Sequence, residues 1–324
     1  MKKATVIIPN YNGIKFLEPC MAALAAQTCR DFSVLVVDNA SEDGSVEWLE
    51  KNCPEAGIIQ METNTGFSGA VNAGIRASET PYVILLNNDT EVFPDYVGEL
   101  IRFADRFPKV FSVSSKMIQL HHRDRIDDAG DSYNILGWAF QRGIDHPVSA
   151  YGKPARIFSA CAGAALYRRE VFEKIGYFDE NHFAYLEDID VGYRAQIYGY
   201  QNWYCPTAKV YHVGSGTSGS KYNSFKVRLA ARNSVYLNYK NMPAGQLVLN
   251  ALPLALGYFL KSRFFKKNGF SEDYKNGLRE GWKTRKNCRK VPFASGNLGH
   301  YCYIEWQLVK NMFTYTGQYL KRKL

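Results

Sequence analysis

The chain offers little to disulfide or zinc chemistry. Its seven cysteines, Cys20, Cys29, Cys53, Cys161, Cys205, Cys288 and Cys302, are odd in number, scattered and never spaced Cys-x-x-Cys, which argues against a zinc site or a disulfide framework and fits a reducing compartment. Nor is there an apolar run of the ~20 residues that a spanning helix needs. The most apolar stretch, Gln246 to Leu260, is shorter and is broken by Asn250 and Pro253. No repeat or low-complexity tract suggests a solenoid or a disordered chain, and the glycine turn from Asn64 to Gly74 does not have the Gly-x-Gly-x-x-Gly spacing of a dinucleotide fold. Acidic residues become scarce late in the chain. Residues 1–220 hold 27 Asp and Glu against 20 Lys and Arg, whereas residues 221–324 hold 4 against 20. Two parts with different surroundings follow from that imbalance.

What is present begins as an alternation of strand and helix. Met1-Lys-Lys-Ala-Thr-Val-Ile-Ile-Pro9 carries only a strand's length of apolar residues before Pro9 and Asn10, so it reads as a first strand and not as a signal peptide. Helical spacing over Ile14 to Ala26 follows, then a strand at Ser33 to Val37 and a helix at Ser41 to Lys51 opened by Ser and acidic residues. A strand near Gly57 to Met61, a helix from about Ser68 to Ser78 and a strand at Tyr82 to Leu86 complete the pattern. This is an α/β chain with a doubly wound, mainly parallel sheet. The stretch from about Val110 to Phe158 reads as strands and long loops over the rim, a place for acceptor specificity. Helices at Arg169 to Ile175 and Glu187 to Tyr198 and a strand at Gln201 to His212 precede the loop Gly214 to Ser220, the expected boundary between a domain of residues 1–218 and a helical, basic region of residues 219–324.

Polar clusters stand at the ends of these strands, where open α/β sheets bind ligands. Pro9-Asn-Tyr-Asn12 and Asp38-Asn39 end the first two; a carboxylate there accepts from a pyrimidine N3–H, and Tyr11 offers a ring face. Asn64-Thr-Gly-Phe67, with Asn72 further on, is a glycine turn whose amides suit phosphate or ribose. Asn87-Asn88-Asp89 ends the Tyr82 strand, and Asp89 is a hard oxygen ligand suited to Mg2+ or Mn2+. Each cluster alone is equally well explained as a cap or turn. Glu187-Asp-Ile-Asp190 opens a helix, where one carboxylate can orient a site while the other takes a proton, or where all three complement the helix dipole. His212 closes the last strand, as a core histidine or as a metal ligand with Asp89.

Taken together, Val6-Ile-Ile-Pro-Asn-Tyr-Asn12, Val36-Val-Asp-Asn-Ala-Ser-Glu-Asp-Gly-Ser45, Asn64-Thr-Gly-Phe67 with Asn72, Leu85-Leu-Asn-Asn-Asp89, Gly163-Ala-Ala-Leu166, Phe178-Asp-Glu180, Glu187-Asp-Ile-Asp190 and His212 resemble family 2 glycosyltransferases of the GT-A fold, and more narrowly their rhamnosyltransferase-like branch. The resemblance covers about residues 4 to 218. It implies an inverting transfer of a sugar, rhamnose or another hexose, from a dTDP- or UDP-sugar to an acceptor hydroxyl. By the same resemblance Asp38 holds the pyrimidine, and Asp89 is the last position of the family's Asp-x-Asp motif, ligating Mg2+ or Mn2+ with His212. Asp188 is the general base, with Glu187 beside it. Many members carry Asp where this chain has Asn87; an amide adds no negative charge, so metal affinity rests on Asp89, His212 and the donor's phosphates.

The basic region continues past Leu260 into Lys261-Ser-Arg-Phe-Phe-Lys-Lys267, cations and aromatics interleaved as at a membrane interface. It is expected to attach peripherally to the anionic inner face of the cell membrane, where a lipid-linked glycan acceptor of surface polysaccharide or O-antigen synthesis would lie; the alternative is a helix packed on the first domain. Nucleic acid is not expected as a partner, because no reading motif accompanies the charge. A non-catalytic sugar-nucleotide or glycan-binding module and a nucleotidyltransferase are the other classes, separated by turnover and by whether nucleoside diphosphate or pyrophosphate is released.

Overall fold

A computed structural model describes residues 2–214 and 222–321, so residues 215–220 of the expected boundary loop lie outside the described residues. The strands are β1 Ala4–Asn10, β2 Phe32–Asp38, β3 Gly57–Gln60, β4 Tyr82–Leu86, β5 Thr90–Val92, β6 Val110–Gln119, β7 Ile126–Asp128, β8 Asp131–Tyr133, β9 Ala139–Gln141, β10 Ala155–Ile157, β11 Ala164–Arg168 and β12 Gln201–His212. The α-helices are α1 Ile14–Ala25, α2 Ser45–Asn52, α3 Gly66–Ala77, α4 Tyr96–Arg106, α5 Arg169–Ile175, α6 Glu187–Ile197, α7 Ser224–Asn241, α8 Ala244–Leu249, α9 Ala251–Lys267, α10 Ser271–Thr284 and α11 Leu298–Lys321.

The main sheet runs β10-β12-β6-β11-β4-β1-β2-β3, with β5 on β12 and β7 on β6. β1, β2, β3 and β4 are mutually parallel, while β11 is antiparallel to both β4 and β6. Alternation along β1 and β4 builds the layers. Val6, Ile8, Ile84 and Leu86 face α1, α2 and α4 through Leu17, Leu49 and Leu100, whereas Ile7, Val83 and Leu85 face α3 and α5 through Val71, Ile75 and Phe172. Each such side chain contributes ~1.5–3 kcal/mol over its exposed state. Sheet order reverses at β1, which has β2 on one side and β4 on the other, so the clusters after β1, β2 and β4 share one switch-point crevice.

Three expectations need correction. The second helix begins at Ser45, not Ser41: Gly44, at φ 81°, precedes it, and the Ser41 hydroxyl instead accepts from the Asn12 amide. Val110–Gln119 is no rim segment but a ten-residue strand inside the sheet. Its interior serines and Lys116 hid it, yet most find partners where they lie buried: the Ser112 hydroxyl donates to Asn202, the Ser115 hydroxyl to the Ala164 carbonyl, and the Lys116 ammonium to the Val148 and Ala150 carbonyls at 2.8 and 2.9 Å. Helix α4 was not anticipated, although Val97, Leu100, Ile101 and Ala104 carry the i, i+3, i+4, i+7 spacing of a buried face.

The helices after residue 222 pack on α6. Phe158, Ile189, Tyr193 and Ile197 share a core with Leu237, Met242, Leu254, Tyr301, Ile304 and Leu308. Gly257 lets α9 press against the loop before β9: a Cβ there would stand 2.0 Å from the Leu136 carbonyl oxygen. Among the described residues no helix is long and apolar enough to cross a membrane.

Candidate active site

The ends of β1, β2 and β4 are laced by amides. Buried Asn10 donates to Asp38 Oδ1 (3.0 Å) and accepts from Asn88 (2.7 Å), which ties three strand ends together. Asp38 Oδ2 accepts the Ser41 amide at 2.9 Å, so each of its oxygens already holds one partner. Asn12, at φ 48°, braces the same loop by accepting from the Glu42 amide. Pro9 is half-buried beside it, and Tyr11 stands exposed above the crevice.

The second turn is built in the same way. Asn39 donates to Asn64 Oδ1 (2.9 Å) and to the Gly66 carbonyl (3.1 Å), and it accepts from the Thr65 amide (2.9 Å). Asn64 in turn receives the Gly66 amide. Gly66 sits at φ 72°, with Phe183 so close that a Cβ would meet its carbonyl oxygen at 2.5 Å. Phe67 packs edge-on against Phe178, and fully buried Asn72 donates to the Phe178 carbonyl (2.8 Å) and to Glu180 (2.9 Å) while accepting the Phe178 amide. Asn10, Asn39, Asn72 and Asn88 are therefore occupied in shaping the crevice. Tyr11 and half-exposed Asn87 retain more freedom.

Asp89 and His212 meet as the sequence suggested. Antiparallel pairing of β5 with β12 sets His212 opposite Thr90, and the imidazole Nε2 lies 3.4 Å from Asp89 Oδ1. On its other side Nδ1 is 2.7 Å from Asp127 of β7, a partner the sequence did not suggest. Burial alone would lower the His212 pKa, but hydrogen bonds to Asp127 and Asp89 and their charges raise it to about 10. A divalent cation would have to displace that proton. The donor set fits one: two ligands at adjacent corners of an octahedron of ~2.1 Å radius stand roughly 3 Å apart, and a carboxylate on the far ring nitrogen is the usual means of aiming a metal-bound imidazole. A cavity of about 280 Å³ opens beside Asp89, lined in part by Lys15, Phe16, Asn88 and His121.

Helix α6 carries the second acidic group. Leu186, at φ 67°, turns the chain into it; Glu187 is then buried, while Asp188 is half-buried and accepts the Ile189 amide at 2.7 Å. Strand β8 lies alongside, because the Asp131 amide donates to the Ser159 carbonyl and the Ser159 hydroxyl donates to the Asp188 carbonyl. Asp131 contacts both Asp188 and Asp128, and the ligating atoms of Asp128, Asp131 and Cys161 lie within 4.8 Å of one another. Burial raises the pKa of Glu187, Asp131 and Asp128, with like charge adding to it, and burial also raises that of Asp188 against the hydrogen bonds it accepts; burial likewise holds the Cys161 thiol neutral. Such a cluster holds protons more readily than a cation. Its signal in the sequence was Asp127-Asp-Ala-Gly-Asp131, three carboxylates in five residues, which had been read only as rim.

Structures of known proteins share this fold. The chain superposes on GalNAc-T7 with UDP, GalNAc and Mn2+ at a TM-score of 0.62, with 14% identity over 90% of this chain and 55% of that one. It also superposes on S. aureus TarS with UDP-GlcNAc at 0.57, with 19% identity over 87% and 80%. At these identities the likeness is one of fold, and the fold is GT-A. Residues 5–176 match the model of glycosyl transferase family 2, and the chain belongs to that family. Among named relatives is the N-acetylglucosaminyl-diphospho-decaprenol L-rhamnosyltransferase of Mycobacterium tuberculosis, 27% identical over 243 residues, 66% of this chain and 77% of that protein. The uncharacterized protein y4gI of Sinorhizobium fredii is 29% identical over 229 residues, and there the match spans only 25% of the relative's length.

Proposed function

We propose that the chain is an inverting glycosyltransferase that moves rhamnose or another hexose from a dTDP- or UDP-sugar to a hydroxyl of a lipid-linked glycan, in surface polysaccharide or O-antigen synthesis. One observation supports this most: successive residues of β7 serve both halves of the site. Asp127 reaches His212, while Asp128 points the other way into the cluster around Asp188. One short strand thus braces both the histidine that would hold a cation and the carboxylate that would act as base, as a direct displacement at the anomeric carbon requires.

In this reading Asp188 removes the acceptor proton as the hydroxyl attacks, and the anomeric bond to the diphosphate breaks on the opposite face. Mg2+ or Mn2+, held by Asp89 and His212, would neutralise the departing diphosphate. Glu187 is the neutral neighbour that keeps Asp188 oriented. The loops after β1 and β2, with Tyr11 and the remaining lone pairs of Asp38, take the pyrimidine. Backbone amides around Asn64, Gly66 and Phe67 take ribose or phosphate, and Asn87 faces the donor. A thermal-shift and turnover panel of dTDP-L-rhamnose, UDP-GlcNAc and GDP-mannose, with and without Mn2+, tests the assignment; release of pyrophosphate, or binding without turnover, rejects it. Asp89→Ala should weaken donor binding strongly in Mn2+ and little in EDTA, measured by calorimetry. Equal losses in both remove Asp89 from the metal.

We also propose that residues 1–218 form the catalytic part and residues 219–324 a region that rests on an anionic membrane surface. Supporting this, α8 and α9 bury Leu254 and Gly257 while Val248, Leu249, Leu252 (83% exposed) and Phe259 face outward, followed by Arg263, Lys266 and Lys267. Helix α11 meets the same place, its Tyr315 lying against Trp138, which donates to the Gly257 carbonyl. Trp306 and Phe313 of α11 are also exposed. Leu252→Asp with Phe259→Asp should abolish co-sedimentation with phosphatidylglycerol vesicles at unchanged Tm, since neither side chain is part of the core. Undiminished sedimentation would sink the idea.

A further inference from the structure

We infer that Asp131 and Asp128 form a proton relay behind Asp188, so that the proton taken from the acceptor hydroxyl passes inward along three carboxyl groups. The inference rests on Asp188 being the general base. Geometry supports it first: Asp188 is half-exposed, Asp131 lies beside it, and Asp128, fully buried, lies against Asp131. The three come from β7, β8 and α6, and Ser159 locks β8 to α6. Its carbonyl accepts from the Asp131 amide, and its hydroxyl donates to the Asp188 carbonyl. Gly192 leaves room for that hydroxyl, because a Cβ there would stand 2.2 Å from Ser159 Oγ.

Charge argues the same way. Three carboxyl groups in contact, two of them buried, cannot all be ionised, so at least one proton resides among them. The titratable groups facing them include Glu187, Cys161, Tyr167 and Tyr204, with Asp127 next to Asp128, and the cation Arg142 interacts with Asp128. Asp131 lies between the other two, and its hydrogen bonds favour its own neutral form and the ionised forms of Asp188 and Asp128, which makes it the resting holder of the proton. In the step itself, the acceptor oxygen bonds to the anomeric carbon and the electron pair of the broken C–O bond leaves on the diphosphate. The acceptor proton moves to Asp188, then to the near oxygen of Asp131, as the proton already on Asp131 moves to Asp128. After product leaves, the same chain returns one proton to water. No oxidant or further reactant is needed. The relay keeps Asp188 from holding a proton that the leaving product could retrieve.

The test is single-turnover transfer from dTDP-L-rhamnose to farnesyl-diphospho-N-acetylglucosamine, with donor affinity measured alongside. Asp131→Asn retains a hydrogen-bond donor beside Asp188 but cannot pass a proton on, so its rate should fall by about 10-fold or more at unchanged donor Kd. Asp128→Asn should do the same from the far end. In mixed H2O and D2O the wild-type rate should follow a bowed proton inventory, since more than one proton moves; this needs no variant and so holds whether or not the substitutions fold. A straight inventory, or wild-type rates in both variants while Asp188→Asn is inactive, overturns the relay and leaves the base standing. Full activity of Asp188→Asn overturns both.

Discussion

Asp188→Asn is expected to lower transfer by about 10²- to 10⁴-fold while donor binding survives, the loss that follows removal of a general base. The substitution is isosteric, and Asn can still accept the Ile189 amide that Asp188 accepts at 2.7 Å. It also removes a negative charge from the company of Glu187, Asp131 and Asp128, each of which burial already holds toward its neutral form. The variant should therefore unfold no earlier than the wild type, and a loss of rate at equal or higher Tm is the signature of a group kept for chemistry at some cost in stability. The pH profile has a definite sign. Burial raises the Asp188 pKa, so the ionised base is lost on acidification above the ordinary carboxylate value of ~3.9, and kcat/KM should fall on that limb in the wild type. In Asp188→Asn the limb should vanish. Near-normal turnover would take Asp188 out of the reaction.

The strand-end clusters were legible because their physics is local. A parallel sheet brings the residues after β1, β2 and β4 to one crevice, and polar residues stand out against apolar runs such as Tyr82 to Leu86. What each amide does there was not legible. Asn39 and Asn72 are bound to partners 25 to 108 residues away, and no spacing announces such partners. Asp127 and Asp128 were missed for a related reason: their value comes from β7 pairing with β6, a strand disguised by its serines. Once β6 lies in the sheet, β7 follows beside it, and alternation sends one carboxylate to His212 and the next toward Asp188. The basic region showed its charge and its apolar residues in the sequence, but not the division between Leu254, turned inward, and Leu252, turned out.

Asp190→Asn is expected to destabilise the protein by about 3–5 kcal/mol, the cost of leaving buried cations without their counter-charge. Asp190 is fully buried, and its Oδ2 takes Arg194 at 2.8 and 3.0 Å and Lys240 of α7 at 3.0 Å, while Oδ1 takes Asn241 at 2.8 Å. Arg194 goes on to the carbonyls of Ile175, Gly176 and Tyr177, and Lys240 to Asp179 at 2.7 Å, so one carboxylate links α5, α6 and α7. Burial alone would raise its pKa, but the charges of Arg194 and Lys240 hold it far below the ordinary range. A depressed carboxylate contributes stability that is complete above its unfolded value of ~3.9 and is lost as pH falls below it. Calorimetry should therefore show the variant's Tm lower by roughly 4–8 °C at pH 7, with the gap to wild type closing below about pH 4. An unchanged Tm at pH 7 would mean that Arg194 and Lys240 are compensated elsewhere. The link bears on the proposed base, since Asp190 lies two residues beyond Asp188 and two of its three partners come from α7. Cutting the chain after residue 214 would remove Lys240, Asn241 and the core that Leu237, Tyr301 and Leu308 form on α6. The helices that face the membrane in our proposal thus also hold the helix that carries the base, and for that reason the membrane test is made with surface substitutions and not with a deletion.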